Sequence, residues 1–583
     1  MIKIKRKIIL PSCFTLLTVL LLTSCIKGVS SSSTLTVEDI NLYFVGQNYK
    51  DYGNALITLK SFLKEERLEI SDPNLAFYDC KDPDNESFLI EDTFNKTGEY
   101  EINVKYKDKY TANFKIDVGN GAFVPDELTY LSQDVQTNYA PALGNQKMLV
   151  IPIKLESGSL INSSTAQWTT TKLQNIDNYY FGTVPNSISL KDYYSTASFG
   201  KLNITGMVSD VYEETSPSLT MSEIDGDTTY QKLFTLISRA VEWVEAHYPL
   251  QDWKEYDTNG DGCLDSVHLI TNFNATKWNS PLWPHMYETG NTSGTHENPV
   301  ANVYSISAIN HVGSAITAIH EQGHIFGLQD YYDYSNDGTS ARDYVGQADM
   351  QSHNVFDWNS FSKLSVGWTK PLVVDGTLDS VTVSLRPASS SGDCLLVPTP
   401  GTWNGSAFDE YILIELFTKV GNNIRDWLTW NNLKTGGIRL YHVDARIYGY
   451  DFGGGEYNAG ENGGIVDNVK TSSYNHHVVG ANNSYDPSAY MSVPGFENFK
   501  LLTLIQRGGV NTFGSASKTQ RHALTYDDLF ITGSSFTFEA YKQFFLKQSS
   551  PVATSMDDGT IFPYTIHFDS VDTEKAVITI TKN

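Results

Sequence analysis

Alternating apolar and polar residues predict strands in two separate parts of the chain. Near the N-terminus, residues 100–106 alternate, Lys107 and Asp108 interrupt the pattern, and residues 114–118 alternate again. Because successive side chains of a strand point to opposite faces of a sheet, this pattern predicts a hairpin with one buried face. Beyond about residue 370, similar runs predict an antiparallel, β-rich region, packed as a sandwich. These runs are residues 381–385, 411–416, 437–443 and 576–580.

The middle of the chain combines a strand pattern with a helix pattern. The apolar run at residues 147–155 predicts a buried strand, and residues 230–247 follow a helical spacing. The expected fold is therefore multidomain: an all-β N-terminal domain, an α/β (α+β) central domain and a β-rich C-terminal region. The predicted segments are 1–24 (signal segment), 25–34 (Ser-rich tether), 35–118 (all-β domain), 119–145 (irregular linker), 146–370 (α/β domain) and 371–583 (β-rich region).

The most informative local pattern is His320-Glu321-Gln322-Gly323-His324, in a stretch predicted as a helix. Residues four apart lie one turn apart on a helix, so the imidazoles of His320 and His324 can bind one metal ion. Zinc accepts neutral imidazole ligands, keeps one position open in catalytic sites and lowers the pKa of its water to about 7. The pattern therefore predicts a zinc hydrolase in which Glu321 takes the proton of that water.

A third protein ligand must come from outside this pattern. Gly327 can take the left-handed conformation that ends a helix, and the resulting turn can bring Asp330 to the same metal. Asp333, Asp343 and Asp349 follow closely and are alternatives. Residues 331–370 contain no glutamate, which argues against a nearby Glu ligand of the kind that gluzincins use.

The complete run at residues 320–333, HEQGHIFGLQDYYD, resembles the Asp-ended form of the metzincin pattern H-E-x-x-H-x-x-G-x-x-H/D. Within that clan it is similar to the M6 family, the immune inhibitor A-like secreted bacterial metalloproteases. The resemblance implies a zincin-like domain that hydrolyses peptide bonds, with Asp330 as the third zinc ligand and Met350 in a methionine turn beneath the metal. Other segments similar to that family are 192–194, 198–202, 283–285, 349–350, 356–363 and 437–444.

A second metal motif is predicted between residues 257 and 265, which match D-x-N-x-D-G-x-x-D. Oxygen ligands at alternate positions followed by glycine are typical of a calcium loop. Position 12 is His268 rather than glutamate, so the motif resembles a dockerin-type loop more than a complete EF-hand, and a plain polar turn is the alternative. If calcium binds, we expect it to hold a loop near the active cleft. The expected ligands are Asp257, Asn259, Asp261 and Asp265.

The N-terminus has the pattern of a signal peptide. Four basic residues precede an apolar run at residues 8–22, which is short for a membrane span and contains Pro11. Residues 22–25 (LTSC) resemble a bacterial lipobox, which implies cleavage before Cys25 and lipidation of that cysteine. The expected location is the extracellular face of the bacterial cell membrane, held by lipid or released from it. An ordinary secreted protein is the alternative.

Charge and cysteine content limit the expected partners. The formal charge is −25, and loss of residues 1–24 would leave 38 basic against 67 acidic residues, a charge of −29. So acidic a chain argues against nucleic acid as a partner. Outside the signal and lipobox only Cys80, Cys263 and Cys394 remain, so no disulfide framework is expected. We expect a monomer whose partners are an extracellular protein or peptide substrate and, through its lipid, a membrane.

The N-terminal domain has a resemblance of its own. The pattern T-G-x-Y-x-I-x-V-x-Y at residues 97–106 resembles bacterial immunoglobulin-like domains. This implies an immunoglobulin-like spacer over residues 35–118 that lifts the rest of the chain from the surface. A carbohydrate- or cell-wall-binding domain is an alternative. Another is a prodomain in which Cys80 or Asp126 blocks the zinc, because M6 relatives are often made as zymogens.

Together these patterns predict a cell-surface zinc endopeptidase that hydrolyses extracellular proteins. The alternative is a binding or adhesin lipoprotein whose metalloprotease domain is latent or inactive, although retention of Glu321 argues against decay. A zinc hydrolase of glycans or peptidoglycan amides is a weaker alternative, since the metal motif resembles a peptidase clan. The strand predicted at residues 302–308 is a candidate for pairing with an extended substrate, and His353 is a candidate for contacting it.

Overall fold

The computed structural model describes most of residues 73–583 and four short stretches before them. The early stretches are 34–35, 41–43, 56–58 and 68–69. After residue 73 the gaps are 83, 90–97, 107–109, 119–121, 126, 132–139, 159–166, 185–186, 274–279, 335–341, 375, 377–378, 425–432, 434, 451–463, 466–475, 485–498, 516–521 and 546–552. The predicted signal peptide and Cys25 lie outside the described residues. Within these ranges, no helix combines the length and apolar character that a membrane crossing requires.

The chain divides into two compact units, Met1–Gly119 and Asn120–Asn583. The strands of the first unit are β1 (Thr34–Leu35), β2 (Asn41–Tyr43), β3 (Leu56–Thr58), β4 (Leu68–Glu69), β5 (Leu75–Phe77), β6 (Gly98–Tyr106) and β7 (Tyr110–Val118). They form a sheet of order β1-β7-β6-β5 and a small sheet of order β3-β2-β4. β6 and β7 pair antiparallel along their whole length, which confirms the predicted hairpin. Tyr100, Ile102 and Val104 are fully buried, as the alternation predicts.

The second unit begins with a short strand and then builds an α/β layer. Its first elements are β8 (Ala122–Phe123), β9 (Gly144–Lys154), α1 (Thr170–Tyr180), α2 (Leu190–Ala197), β10 (Leu202–Val208), β11 (Tyr212–Glu213), α3 (Met221–Asp225), α4 (Gln231–His247), β12 (Val267–Thr271), β13 (His285–Glu288), β14 (Val303–Ala308) and α5 (Ile316–Ile325). The sheet order is β10-β9-β12-β14-β13, with β11 also pairing with β9. All pairs are parallel except that of β13 with β14. The strand predicted at residues 147–155 and the helix predicted at 230–247 are confirmed as β9 and α4.

The remainder of the second unit is mainly β-structure. Its elements are α6 (Met350–His353), α7 (Ser360–Ser365), β15 (Leu372–Val374), β16 (Ser380–Leu385), α8 (Ala388–Ser391), β17 (Leu395–Pro398), β18 (Glu410–Phe417), β19 (Gly437–Asp444), β20 (Ile447–Tyr450), β21 (Gly464–Ile465), β22 (His476–Val479), β23 (Leu502–Leu504), β24 (Ser535–Thr537), α9 (Phe538–Tyr541), β25 (Tyr564–Val571) and β26 (Ala576–Lys582). Three sheets result, of order β23-β19-β18-β17-β15-β8, β16-β26-β25-β24 and β21-β20-β22. All four predicted runs are confirmed as strands, and the chain is a mixed α/β protein.

Two features of the second unit differ from the predicted segments. β8 lies within residues 119–145, predicted as an irregular linker, yet it pairs antiparallel with β15. A strand of two residues is too short to produce an alternating pattern, so alternation could not predict it. The predicted boundary at residue 370 falls inside one compact unit. A single hydrophobic cluster contains Tyr194 and Phe326 from the central segment and Tyr441 from the C-terminal one.

The α/β sheet is buried on both faces, and this positions α5. On β9, Leu149 and Ile151 pack into a core that contains the apolar face of α4. The alternate residues Met148 and Val150 pack into the other core, together with Ile319 of α5. Because neighbouring side chains of a strand point to opposite faces, α4 and α5 cover opposite sides of the sheet. α5 follows β14 through a short 3-10 turn at Ile309–His311.

Candidate active site

The end of α5 shapes the candidate site. Gly327 has a φ of 92°, the left-handed conformation predicted for it. Its amide donates to the carbonyl of His324 (2.9 Å), and the amide of Leu328 donates to the carbonyl of Gly323 (3.1 Å). These two bonds form a Schellman ending, which reverses the chain after the last turn of the helix. The reversal brings Asp330 back beside the histidines.

Three ligand atoms converge at this point. Oδ1 of Asp330 lies 3.0 Å from Nε2 of His320 and 3.4 Å from Nε2 of His324. The two Nε2 atoms are 3.1 Å apart. Bonds of about 2.0–2.1 Å at tetrahedral angles would place ligand atoms roughly 3.3 Å apart. The three residues are therefore spaced so that they could hold one metal ion.

Backbone carbonyls orient both imidazoles. Nδ1 of His320 lies 2.7 Å from the carbonyl oxygen of Met350, and Nδ1 of His324 lies 2.8 Å from that of Leu328. Each Nδ1–H can donate to its carbonyl, which leaves both Nε2 atoms with free lone pairs. Oδ1 of Asp330 is buried and has no hydrogen-bond donor, whereas its Oδ2 accepts from the hydroxyl of Tyr334. A buried carboxylate oxygen facing two unprotonated nitrogens fits a bound cation.

The electrostatics of the cluster agree with this arrangement. Burial lowers the pKa of His324, but the Asp330 carboxylate outweighs that effect and raises it to about 9. Burial raises the pKa of Asp330, but the two imidazoles together hold it far below its ordinary value. Without a cation, the imidazoles would therefore take up protons to balance Asp330. Glu321 is only 6% exposed, and this burial raises its pKa. A raised pKa suits a carboxylate that takes up a proton.

The other aspartates considered as third ligand lie elsewhere. Asp349 is the N-cap of α6. Asp343 lies 3.0 Å from Nδ1 of His353, and Asp333 pairs with an arginine at 3.6 Å. The structure thus brings Asp330, and none of these three, to the two imidazoles. Met350 is buried, and its carbonyl oxygen faces Nδ1 of His320.

A cavity of about 560 Å³ opens on one side of the cluster, and both His320 and Glu321 line it. Its walls come from segments far apart in sequence. The other lining residues are Trp283, Pro284, His311, Thr317, Tyr332, Gln347, Ser352, His353 and Asn354. His353 was a predicted substrate contact, and the structure places it in this wall. Tyr332 and Tyr334 also approach Asp330, although their sequence pattern gave no sign of such a role.

The predicted role of residues 302–308 as a substrate-pairing strand is wrong. They form β14, whose two edges are occupied by β12 and β13. β13 is instead the edge strand of the sheet. Its residue Met286 has a backbone hydrogen bond with the carboxylate of Glu321. The open sheet edge therefore lies beside the predicted general base.

Distant segments hold the cluster in place. The hydroxyl of Tyr194 in α2 donates to the carbonyl of Ile319 in α5 (2.5 Å). From β19, Arg439 donates to the carbonyl of Ala348, just before α6 (2.8 Å). A Cβ on Gly323 would lie 2.3 Å from Oε1 of Gln351, so the side chain of Gln351 in α6 packs directly against the backbone of α5. Segments far apart in the sequence thus support the site from several directions.

In the predicted calcium loop, most of the proposed ligand oxygens are engaged in hydrogen bonds within the loop. Both oxygens of Asp257 accept backbone amides of the loop, including that of Gly260 (2.8 Å), and Asn259 donates to Asp261 (3.0 Å). Oδ1 of Asp265 is buried without a donor, and burial raises the pKa of this carboxyl to about 7. The loop is not among the groups of converging His, Cys, Asp or Glu side chains in the described residues. Calcium binding there stays a prediction.

A second converging group was not predicted from the sequence. It consists of Glu410, His442 and Asp557, all buried. These residues are too far apart in the chain to form a recognisable spacing. Only the pairing of their strands brings the first two together.

No protein-family model matches the chain, and no curated protein matches it.

Proposed function

We propose that this chain is a zinc-dependent endopeptidase of the metzincin type, similar to the M6 family, which cleaves extracellular proteins at the outer face of a bacterial membrane. The observation that carries this proposal is the convergence of His320, His324 and Asp330 beside Glu321 at a cavity. The Asp-ended motif supports a peptidase clan over other zinc hydrolases. The location rests on the lipobox-like residues 22–25, which lie outside the described residues.

Zinc is the metal that best suits this donor set. Two imidazoles and one carboxylate are ligands that zinc accepts, and three protein ligands leave a position open, as catalytic zinc sites require. Bound there, zinc would polarise the substrate carbonyl and make a water molecule acidic enough to attack at neutral pH. The orphaned Oδ1 of Asp330 supports the presence of a cation.

Glu321 is the proposed general base. It neighbours His320 in the helix and lines the same cavity, so it can reach a water molecule beside the cluster. Its burial disfavours the charged form, which makes it readier to take the water's proton. Protonated Glu321 can then pass that proton to the amine that leaves when the peptide bond breaks.

The surroundings of the cluster suit an extended peptide. The free edge of β13 can add a substrate strand through main-chain hydrogen bonds. On the cavity wall, Nδ1 of His353 is 3.0 Å from the buried carboxylate of Asp343, which orients the ring. The imidazole is half-exposed. When Nδ1–H donates to Asp343, Nε2 carries a lone pair and can accept a hydrogen bond from a substrate N–H. We therefore propose that β13 binds the substrate backbone and that His353 helps to orient the substrate.

The first unit is proposed to be an immunoglobulin-like spacer, supported by the buried face of the β6–β7 hairpin. The prodomain alternative has less support. Cys80 is a free, buried cysteine within that unit, which does not favour a role as a zinc-blocking thiol. Asp126, the other candidate for blocking the zinc, lies outside the described residues.

The test is zinc-dependent cleavage of a denatured protein mixture by the full chain. Glu321→Gln should abolish cleavage and retain the bound zinc, whereas Glu242→Gln, on the exposed face of α4, should cleave normally. Chelation should stop cleavage, and added zinc should restore it. Zinc binding without cleavage by the unaltered chain would instead favour the binding lipoprotein.

A further inference from the structure

The second buried cluster lies at one face of the C-terminal sheet. Glu410 begins β18 and lies opposite Asp444 of β19, while His442 lies opposite Ile412. Paired residues, and residues two apart on one strand, share a face, so Glu410, His442 and Asp444 point the same way. Asp557 reaches this face from the segment between α9 and β25. The ring of Phe545 covers His442, with the ring centroids 4.4 Å apart.

Short contacts join the members of this cluster. Nε2 of His442 lies 2.7 Å from Oε1 of Glu410. The same carboxylate accepts the backbone amides of Asp557 and Asp558, both at 2.6 Å. One ligand atom each from Glu410, His442 and Asp557 lies within 4.8 Å of the other two.

Asp557 provides a separate sign that something is bound. Its side chain is only 7% exposed, and its Oδ1 accepts no hydrogen bond from the described residues. A buried carboxylate oxygen without a donor costs about 1–3 kcal/mol or more, because it has lost its water. Such an oxygen therefore needs a cation or a proton.

The local charges favour a cation of charge +2. Arg446 makes two bonds of 2.8 Å to Asp444, so these two charges offset each other. When both are ionised, Glu410 and Asp557 add two negative charges beside His442. A neutral His442 with a divalent ion would balance them, whereas a protonated His442 would balance only one.

We propose that Glu410, His442 and Asp557 bind a divalent first-row transition-metal ion in a buried, structural site. One imidazole with two carboxylates suits Zn²⁺ or Mn²⁺, whereas Ca²⁺ prefers oxygen ligands alone. All three side chains are at most 7% exposed, so little room remains for a substrate. The ion joins two neighbouring strands to a segment more than 100 residues later in the chain, as structural metals often do.

The test counts metal ions in the full chain, purified in Zn²⁺ or Mn²⁺ and then dialysed. We expect two ions per chain in the unaltered protein. One should remain in His324→Ala and one in Asp557→Asn, which preserves the size of the side chain. The double variant should hold none. The count does not depend on protease activity, so failure of the proposed function would leave this result intact.

X-ray absorption separates the two sites in single variants. The ion that remains in His324→Ala should show one imidazole among its ligands, and the ion in Asp557→Asn should show two. Chelation should lower the Tm of His324→Ala by several degrees and that of the double variant by none. The proposal fails if the unaltered chain holds a single ion that His324→Ala removes. It also fails if Asp557→Asn leaves the count unchanged, or if only Ca²⁺ binds at the second cluster.

Discussion

The part of the chain that the structure describes contains two buried clusters of histidine and carboxylate, which differ in access. The cluster of His320, His324 and Asp330 borders a cavity of about 560 Å³. The cluster of Glu410, His442 and Asp557 is enclosed by strands and by a later segment of the chain. Catalytic metal sites keep a position open to water and substrate, whereas structural sites are closed. In the functions proposed for them, the same kinds of side chain therefore support chemistry at one place and stability at the other.

The two clusters also differ in how far apart their ligands lie in the sequence. The ligands of the open cluster come from one helix and the turn that ends it, within residues 320–330. Those of the closed cluster are 32, 115 and 147 residues apart. The open cluster can thus form with local structure, while the closed cluster forms only with the tertiary fold. This contrast makes separate predictions for activity and stability.

Matched glutamine substitutions should give the largest effects and separate the two clusters. Glu321→Gln should lower kcat/KM by about 100- to 10,000-fold, because the general base is lost, with little change in Tm. Glu410→Gln should lower the free energy of unfolding by about 3 kcal/mol, because an NH2 group would replace one of the two oxygens that accept the backbone amides of Asp557 and Asp558. Its kcat should be nearly unchanged. Peptide cleavage and thermal denaturation measure the two quantities.

Loss of cleavage in Glu410→Gln without loss of stability would contradict the separate roles proposed for the two clusters. If Glu410→Gln abolished cleavage at unchanged Tm, the closed cluster would have to act in the reaction. The exposed Glu242→Gln is the control for loss of a carboxylate charge.

Acid should lower the free energy of unfolding through the buried histidine His268. Its ring is fully buried between the hydroxyls of Ser305 and Ser307, and burial lowers its pKa to about 3. As pH falls below about 6.5, the unfolded chain takes up this proton first, so stability present at pH 7 is progressively lost. We expect a loss of about 3 kcal/mol between pH 7 and pH 4 from this group.

Urea unfolding across this pH range measures the loss. His268→Asn should be less stable at pH 7 but should show a shallower pH dependence. An equally steep dependence in the variant would assign the effect to other groups.

Close packing of α5 on α6 should be measurable with a single methyl group. In Gly323→Ala the Cβ would lie 2.3 Å from Oε1 of Gln351 and 2.9 Å from Trp358, so these two buried side chains must move. We expect a loss of about 1–3 kcal/mol of stability. Cleavage should fall as well, because Nε2 of Gln351 lies 3.4 Å from Nδ1 of His324. Gly313→Ala, where a Cβ meets nothing within 4 Å, is the control.

The smallest expected effect concerns the wall of the open cavity. His353→Gln should lower kcat/KM about 10-fold, as expected for loss of one modest hydrogen bond in the transition state. His522 offers a matched control, because it is similarly exposed and lies 3.1 Å from Asp528. His522→Gln should leave cleavage unchanged. Equal losses in both variants would show that His353 has no special role.

Local patterns predicted much of this fold and the core of the open site. The strands at residues 411–416 and 437–443 and the turn at Gly327 follow from alternation and from glycine's conformational freedom. Sheet order does not, because it depends on contacts between distant segments. That is why residues 302–308 were wrongly expected to form a free edge, and why β8 was missed. Glu410, His442 and Asp557 were missed for the same reason, since no local spacing connects them.

The strand order also has a kinetic consequence. β26, at the very end of the chain, pairs with β16, so that Ser380 lies opposite Thr581. The chain between Ser380 and Thr581 must be closed into a long loop before these strands can pair, and this closure costs conformational entropy. Pairing between strands so far apart in the sequence slows folding. β25 and β24 join the same sheet only through β26. We therefore expect the last strand to complete this sheet late, so that loss of a few C-terminal residues would disturb the whole second unit.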